Sequence, residues 1–224
     1  MTTNQLSTLG DPRVSSALRR MFAEAEQDED NWNRAVGDRP SVDFASATAQ
    51  QRADAAAEIY LPISADAGQL LYSLVRAIRP KTVVEFGMSF GISTLYLAAA
   101  VRDNGSGRVL TTELSTHKAA SARETFAETG LDDVITVLEG DALETLPPHV
   151  TDGADFVLLD GWKELYLPVL RLLEPHLAPG TLVLGDDALM KGVQPYLDYV
   201  RDPANGYQSV LFPVEDGMEI SCRI

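Results

Sequence analysis

Residues 155–187, DFVLLDGWKELYLPVLRLLEPHLAPGTLVLGDD, decide how this chain is read. Phe156 to Leu159 is a short, uninterrupted apolar run, the pattern of a strand covered on both faces, and it ends at Asp160. From Lys163 to Leu177 apolar residues recur near helical spacing, at Leu165, Leu167, Val169, Leu170, Leu172, Leu173 and Leu177, and Pro179-Gly180 marks the stop. A second buried strand is predicted over Thr181 to Leu184, running into Asp186-Asp187. If a right-handed crossover joins the two strands as parallel neighbours, Asp160, Asp186 and Asp187 emerge at one edge of the sheet. Three anions in so small a space repel, so they protonate, spread apart or hold a cation. Oxygen ligands without nearby His or Cys favour magnesium, manganese or calcium over zinc. The competing reading is helix capping, by Asp187 for a helix beginning near Ala188 and by Asp160 for the helix after it.

Upstream, Ser64 is placed to N-cap a helix with Leu70, Leu71, Leu74, Val75 and Ile78 on its apolar side, closed by Pro80. The stretch TVVEFGMSFGISTLYLAAAV then reads as a buried strand over Thr82 to Phe86, a glycine turn, and a helix opened by Gly91. Glycine there lets the backbone approach a ligand at the strand's carboxyl end, where a helix N-terminus also points. The next strand, Arg108 to Thr112, delivers Glu113, which suits a carboxylate accepting hydrogen bonds from a ribose diol, or a cap for the helix beginning near Thr116. A helix over Thr116 to Thr129, a Gly130 cap and a strand over Val134 to Leu138 lead into Glu139-Gly140-Asp141-Ala142, where Asp141 has the alternative of capping the short helix ALETL. Beyond Asp187 come a loop, a helix and two strands about a V-E-D-G turn; alternation at Met218, Ile220, Cys222 and Ile224 suits a strand pairing at the sheet edge.

Two motifs carry a resemblance. The pattern D-x-W-K-x-x-Y-L-P, in Asp160, Trp162, Lys163, Tyr166, Leu167 and Pro168, resembles the catechol O-methyltransferase family. The pattern E-x-G-x-x-x-G-x-S, in Glu85, Gly87, Gly91 and Ser93, resembles the first motif of class I S-adenosylmethionine-dependent methyltransferases, whereas a dinucleotide site would need G-x-G-x-x-G. The resemblance covers about residues 55–224 and implies an α/β, Rossmann-like doubly wound sheet of seven strands, mostly parallel with a C-terminal antiparallel hairpin. It implies that Ile63, Glu85, Gly87, Gly91, Ser93, Glu113, Asp141, Ala142 and Asp160 bind S-adenosylmethionine, with Asp141 and Ala142 along the adenine. Asp160, Asp186 and Asp187 would hold a divalent cation, magnesium in the family, and Lys163 would be the general base that takes a proton from a phenolic hydroxyl. Trp162, Lys163 and Asp187 would meet the substrate, a catechol-like small molecule. Asp187 stands where the family has Asn; the change keeps an oxygen ligand and adds a charge, which would tighten metal binding or shift the preference toward manganese or calcium. The animal enzymes carry a glutamate in the C-terminal hairpin for the second hydroxyl; the matching VLFPVEDGM is shorter, with Glu215 and Asp216 as the candidates.

The 224 residues suit one core, read as an N-terminal helical or lid segment over 1–60 and a methyltransferase domain over 61–224. In the first segment, helices are predicted over about Pro12 to Glu26 and Ala47 to Ile59, with the polar DEDNWNRAVGDRPSVDF between them as a mobile stretch or a lid. Trp32 in it is either an exposed loop residue or a residue that lines a substrate pocket or a dimer contact. A net charge of −15 argues against nucleic-acid and anionic-membrane partners. The absence of a long apolar run, of a signal-peptide pattern and of any second cysteine beside Cys222 suits a cytoplasmic protein, and the bacterial relatives it resembles suggest a homodimer. His117, His149 and His176 have no metal-ligand spacing. The alternatives to the metal-dependent reading are a metal-independent methyltransferase and an NAD-dependent oxidoreductase.

Overall fold

The computed structural model describes residues 7–37 and 46–224. Seven strands, β1 (Thr82–Phe86), β2 (Arg108–Glu113), β3 (Ile135–Glu139), β4 (Ala154–Leu159), β5 (Leu177–Gly185), β6 (Tyr207–Phe212) and β7 (Met218–Arg223), form one sheet in the order β3-β2-β1-β4-β5-β7-β6. The first five are parallel, and β7 is antiparallel to both β5 and β6. The strand order reverses between β1 and β4, which opens a crevice beyond their carboxyl ends.

The described helices are α1 (Pro12–Ala25), α2 (Asp28–Gly37), α3 (Ala49–Ala55), α4 (Ala65–Ile78), α5 (Ile92–Asn104), α6 (Thr116–Thr129), α7 (Ala142–Thr145), α8 (Tyr166–Leu173) and α9 (Gln194–Arg201). The two-residue period of the strands feeds two cores. Val83, Phe156, Leu158 and Leu184 face a layer built from α1, α4, α5 and α6, while Val84, Val157, Leu159 and Val183 face α7, α8 and α9. Val14, Ala17, Leu18 and Met21 of α1 pack into the first of these cores. Among the described residues no helix is long and apolar enough to cross a membrane.

Three expectations are corrected. The segment read as polar and turn-rich forms α2 over Asp28–Gly37, whose first turn carries Asp28, Glu29 and Asp30, favourable charges for a helix N-terminus; residues 38–44 of it lie outside the described residues. The helix placed over Ala47 to Ile59 is the shorter α3, started by a capping box between Thr48 and Gln51. The helix expected to reach Leu177 ends earlier, because β5 begins at Leu177 by pairing with Ala154. A register shift between Ala154 and Phe156 takes up Ala178-Pro179-Gly180, so Pro179 needs no ladder donor and marks an irregular strand rather than a helix stop. The C-terminal hairpin is as expected: β7 pairs antiparallel onto the edge of the parallel strands at β5, and β6 adds outside it to close the sheet.

Candidate active site

The carboxyl ends of β1, β4 and β5 are stitched in series. The Asp160 amide donates to the Phe86 carbonyl and the Asp186 amide to the Leu159 carbonyl. Two glycines permit the contact. A Cβ on Gly87, whose φ is +96°, would stand 2.6 Å from the Asp160 carbonyl oxygen, and one on Gly161 would stand 2.5 Å from the Phe86 ring. The glycine turn and the acidic turn therefore form one wall of a cavity of about 600 Å³.

At one end of this cavity the three aspartates converge. Carboxylate oxygens of Asp160, Asp186 and Asp187 lie within 4.8 Å of one another. Successive side chains on a strand point to opposite faces, so a regular continuation of β5 would separate Asp186 from Asp187. Asp187 instead takes a left-handed conformation, φ +55°, which Asp tolerates better than most residues and which turns both carboxylates to the same site. No helix starts at Ala188, so Asp187 is not a cap, and Asp160 does not cap the turn that follows it. At an effective dielectric near 20, each pair of such charges repels by roughly 3 kcal/mol. The consequence is visible in their proton affinities. Burial, then the neighbouring carboxylates, push Asp186 up to about 6. Burial also raises Asp160, against the opposing charge of Lys163.

Lys163 sits in a single 3-10 turn, Lys163–Leu165, that runs into α8. Pro168 falls in the first turn of α8, where a missing N–H costs no helical hydrogen bond. The Lys163 Nζ lies 2.6 Å from Asp187 Oδ2 and 3.5 Å from Asp160 Oδ1, and it donates to the Tyr166 hydroxyl at 2.8 Å. Tyr166 in turn donates to the Asp186 carbonyl at 3.3 Å. Burial alone would lower the Lys163 ammonium; the carboxylates of Asp160 and Asp187 outweigh it and hold the amine above the ordinary lysine range. Outside this cluster, the Arg52 guanidinium of α3 lies over the Trp162 ring, 5.0 Å from its centroid, and is paired with Glu164, which fixes α3 beside the mouth. Trp32, Trp162, Leu165 and Met190 are among the apolar residues that line the cavity.

At the other end Glu113 lines the cavity, its two oxygens accepting from the Ser89 amide at 2.8 Å and the Ser115 amide at 2.7 Å. Ser115, not Glu113, caps α6. Gly87, Ser93, Ile63, Asp141 and Ala142 are in the same wall, and Asp141 also caps α7 by accepting from the Leu143 amide. Glu85 and Gly91 stand behind the wall. The fully buried Glu85 carboxyl takes hydrogen bonds from Thr94 and Thr111 and braces the turn from below, while Gly91, φ +95°, opens α5. Over the top runs the segment Tyr60 to Ile63. Asp28 accepts from the amides of Tyr60 and Leu61, Tyr60 stacks on Phe90 with centroids 4.2 Å apart, and Ser89 donates to the Tyr60 carbonyl. Glu215 and Asp216 reach the rim, with Glu215 accepting from the Ser64 amide at 2.7 Å.

Asp28, Tyr60, Ser89 and Lys118 were not singled out by the sequence. Lys118 falls on a helix of low apolar content, where a solvated position is the ordinary expectation; only the fold buries it, at 4% exposure. Tyr166 stood in the quoted motif, and its hydroxyl is what links Lys163 to the end of β5.

Residues 84–188 match the family described as a methyltransferase domain. Catechol O-methyltransferase B of Danio rerio is 34% identical over 167 residues, 69% of this chain and 62% of that one. Catechol O-methyltransferase of Sus scrofa is 34% identical over 140 residues, 60% of this chain and 74% of that one. The chain thus spans about three-fifths of the zebrafish relative's length. An O-methyltransferase from Bacillus cereus, solved in complex with SAH, superposes with a TM-score of 0.65 at 19% identity, covering 91% of this chain and 100% of that one, a likeness of fold. With the Asp160-Trp162-Lys163 turn and the glycine turn joined at one crevice, the chain belongs to the catechol O-methyltransferase-like branch of the class I S-adenosylmethionine-dependent O-methyltransferases.

Proposed function

We propose that this protein transfers the methyl group of S-adenosylmethionine to one hydroxyl of a catechol-like small molecule, in a reaction that depends on a divalent cation. One observation carries the reading: three converging carboxylates and Lys163 share the floor of a cavity whose opposite end presents Glu113 and the glycine turn. The names of the zebrafish and pig relatives support the same acceptor class.

The donor set fits a hard cation. It consists of oxygen alone, Asp186 is buried with Asp160 and Asp187 partly so, and burial together with mutual repulsion raises Asp160 and Asp186. Asp160, Asp186 and Asp187 would hold magnesium, with manganese or calcium as rivals, and such an ion supplies Lewis acidity that makes a phenolic hydroxyl more acidic. Glu113, which lines the cavity, would accept from the ribose diol of the methyl donor, with Gly87 and Ser93 bordering the rest of it. Trp162 and Leu165 seat a flat ring. Lys163 receives the hydroxyl proton at Nζ as the oxygen–methyl bond forms and the methyl–sulfur bond breaks, leaving a neutral thioether. Asp160 and Asp187 hold its ammonium charged; with those carboxylates turned to a bound cation they would do so less, and the Lys163 amine would be available as a base. The fold's main contribution is orientation, of the kind worth up to about 7–11 kcal/mol when fully realised.

The test is formation of S-adenosylhomocysteine with a panel of catechols and matched monophenols, with and without EDTA, and with magnesium, manganese or calcium added back. Turnover of catechols alone, lost with EDTA and restored by one of the ions, is the expected result. Turnover indifferent to EDTA would remove the metal from the mechanism and favour the metal-independent alternative.

A further inference from the structure

Lys118 is a buried cation that the proposed chemistry leaves unused. It lies in the first turn of α6, where the helix dipole disfavours a positive charge, and it is only 4% exposed, where loss of water disfavours charge again. Two unfavourable terms at one residue call for compensation, and the surroundings provide it. Lys118 Nζ donates to Ser89 Oγ at 3.1 Å, and that same hydroxyl donates to the Tyr60 carbonyl. The ammonium also lies 5.5 Å from the centre of the Phe90 ring, on which Tyr60 stacks. Ser89 gives its amide to Glu113, so one residue joins Lys118, the covering segment and the carboxylate at the donor end.

We infer that Lys118 is a positioning residue for the methyl donor: its buried ammonium counterbalances the Glu113 carboxylate and, through Ser89, ties the Tyr60 segment over it. This rests on the reading of Glu113 as the acceptor for the donor's ribose diol. A buried carboxylate that must stay ionised to accept two hydroxyl protons needs a positive charge nearby. The other charged groups around the pair do not supply one. Glu85 on β1 is a further buried acid that repels Glu113, and Glu139, beside Glu113 on β3, is paired with Arg123. Asp28 at the start of α2 and Glu58 after α3 act on Lys118 as anions, and His117 is turned toward the Phe90 ring and Glu58. Burial raises Glu113, and the Ser115 amide and the Lys118 charge oppose it.

The experiment is calorimetric binding of S-adenosylhomocysteine from mildly acidic to mildly basic pH, with the wild-type chain, Lys118→Met, Lys118→Arg, Glu113→Gln and the double variant Lys118→Met with Glu113→Gln. Lys118→Met is expected to weaken binding several-fold, most on the acid side of the profile, where protonation of Glu113 competes with acceptance from the donor. Its acid limb should move to higher pH, because Glu113 without the cation holds its proton more tightly. Lys118→Arg should restore most of the affinity. In the Glu113→Gln background the effect of Lys118→Met should shrink several-fold, since the charge it serves is gone. Ser89→Ala, which leaves the cation in place, should weaken binding without moving the acid limb. A Lys118→Met profile identical to wild type, or an equal loss with and without Glu113, would overturn the inference while leaving the donor site intact. Failure of the wild-type chain to bind S-adenosylhomocysteine would instead overturn the donor reading on which it rests.

Discussion

The two ends of the cavity handle buried acid in opposite ways. Glu113 is met by backbone amides of Ser89 and Ser115, and Glu85 beneath it by the hydroxyls of Thr94 and Thr111. These donors belong to the fold and are in place before any ligand arrives. At the other end Asp160, Asp186 and Asp187 face one another, with the Lys163 ammonium between Asp160 and Asp187. One end is preorganised around a neutral hydrogen-bonding partner, and the other carries an excess of negative charge that a cation would relieve. Structure and reactivity divide the same way: the first end suits holding a donor still, the second suits changing the acidity of an acceptor.

The comparison can be broken most sharply at Lys163. Lys163→Ala is expected to lower kcat by about 10²–10⁴, the usual range for a positioned proton acceptor, with binding of S-adenosylhomocysteine unchanged within about twofold. Equal loss of both would mean that the two ends are not separable. Next in size, Gly87→Ala forces a Cβ to 2.6 Å from a backbone oxygen at a left-handed φ, and it should damage both ends because this glycine joins them. A loss of about 2–4 kcal/mol in denaturant unfolding, with activity and binding falling together, is the expected outcome.

The pH dependence of stability separates the ends again. Asp186 has a folded value of about 6 against an ordinary 3.8, so below about 4 both folded and unfolded chains hold its proton and it contributes nothing. As pH rises from about 4 to about 6 the unfolded chain ionises first, and stability falls by up to about 3 kcal/mol, a cost that persists above that window. Asp186→Asn should flatten this decline in melts without divalent ions, and added magnesium should raise the melting temperature at neutral pH far more than at acidic pH. A decline that survives the substitution would locate it elsewhere. The smallest effect is expected at Glu113→Gln: affinity for the donor falls roughly tenfold, through two weakened hydrogen bonds, while kcat at saturating donor stays within about twofold.

How much of this was legible from residues alone depends on whether the information is local. The strands β1 and β4, the cap at Ser64, the helix Thr116–Thr129 and the acids at the ends of β4 and β5 follow from periodicity and capping chemistry, all written within a few residues of each position. The misread stretches were those in which a distant partner outvotes the local pattern. Pro179-Gly180 looks like a helix stop until Ala154 pairs with Leu177 and makes it a strand irregularity. Asp28 reads as a polar loop residue until the Tyr60 and Leu61 amides arrive from thirty-odd positions away.

By itself the sequence determined the order of elements, the buried strands with acids at their ends, and the motifs that place the chain in its family, because hydrophobic period and turn chemistry are properties of neighbours along the chain. The tertiary structure alone decided that Asp187 turns back toward Asp186, that Lys163 shares a hydroxyl with the end of β5, and that Lys118 is buried and linked to Glu113 through Ser89. Those depend on a left-handed backbone, a register and a packed helix face, which exist only once segments far apart in sequence have closed on one another.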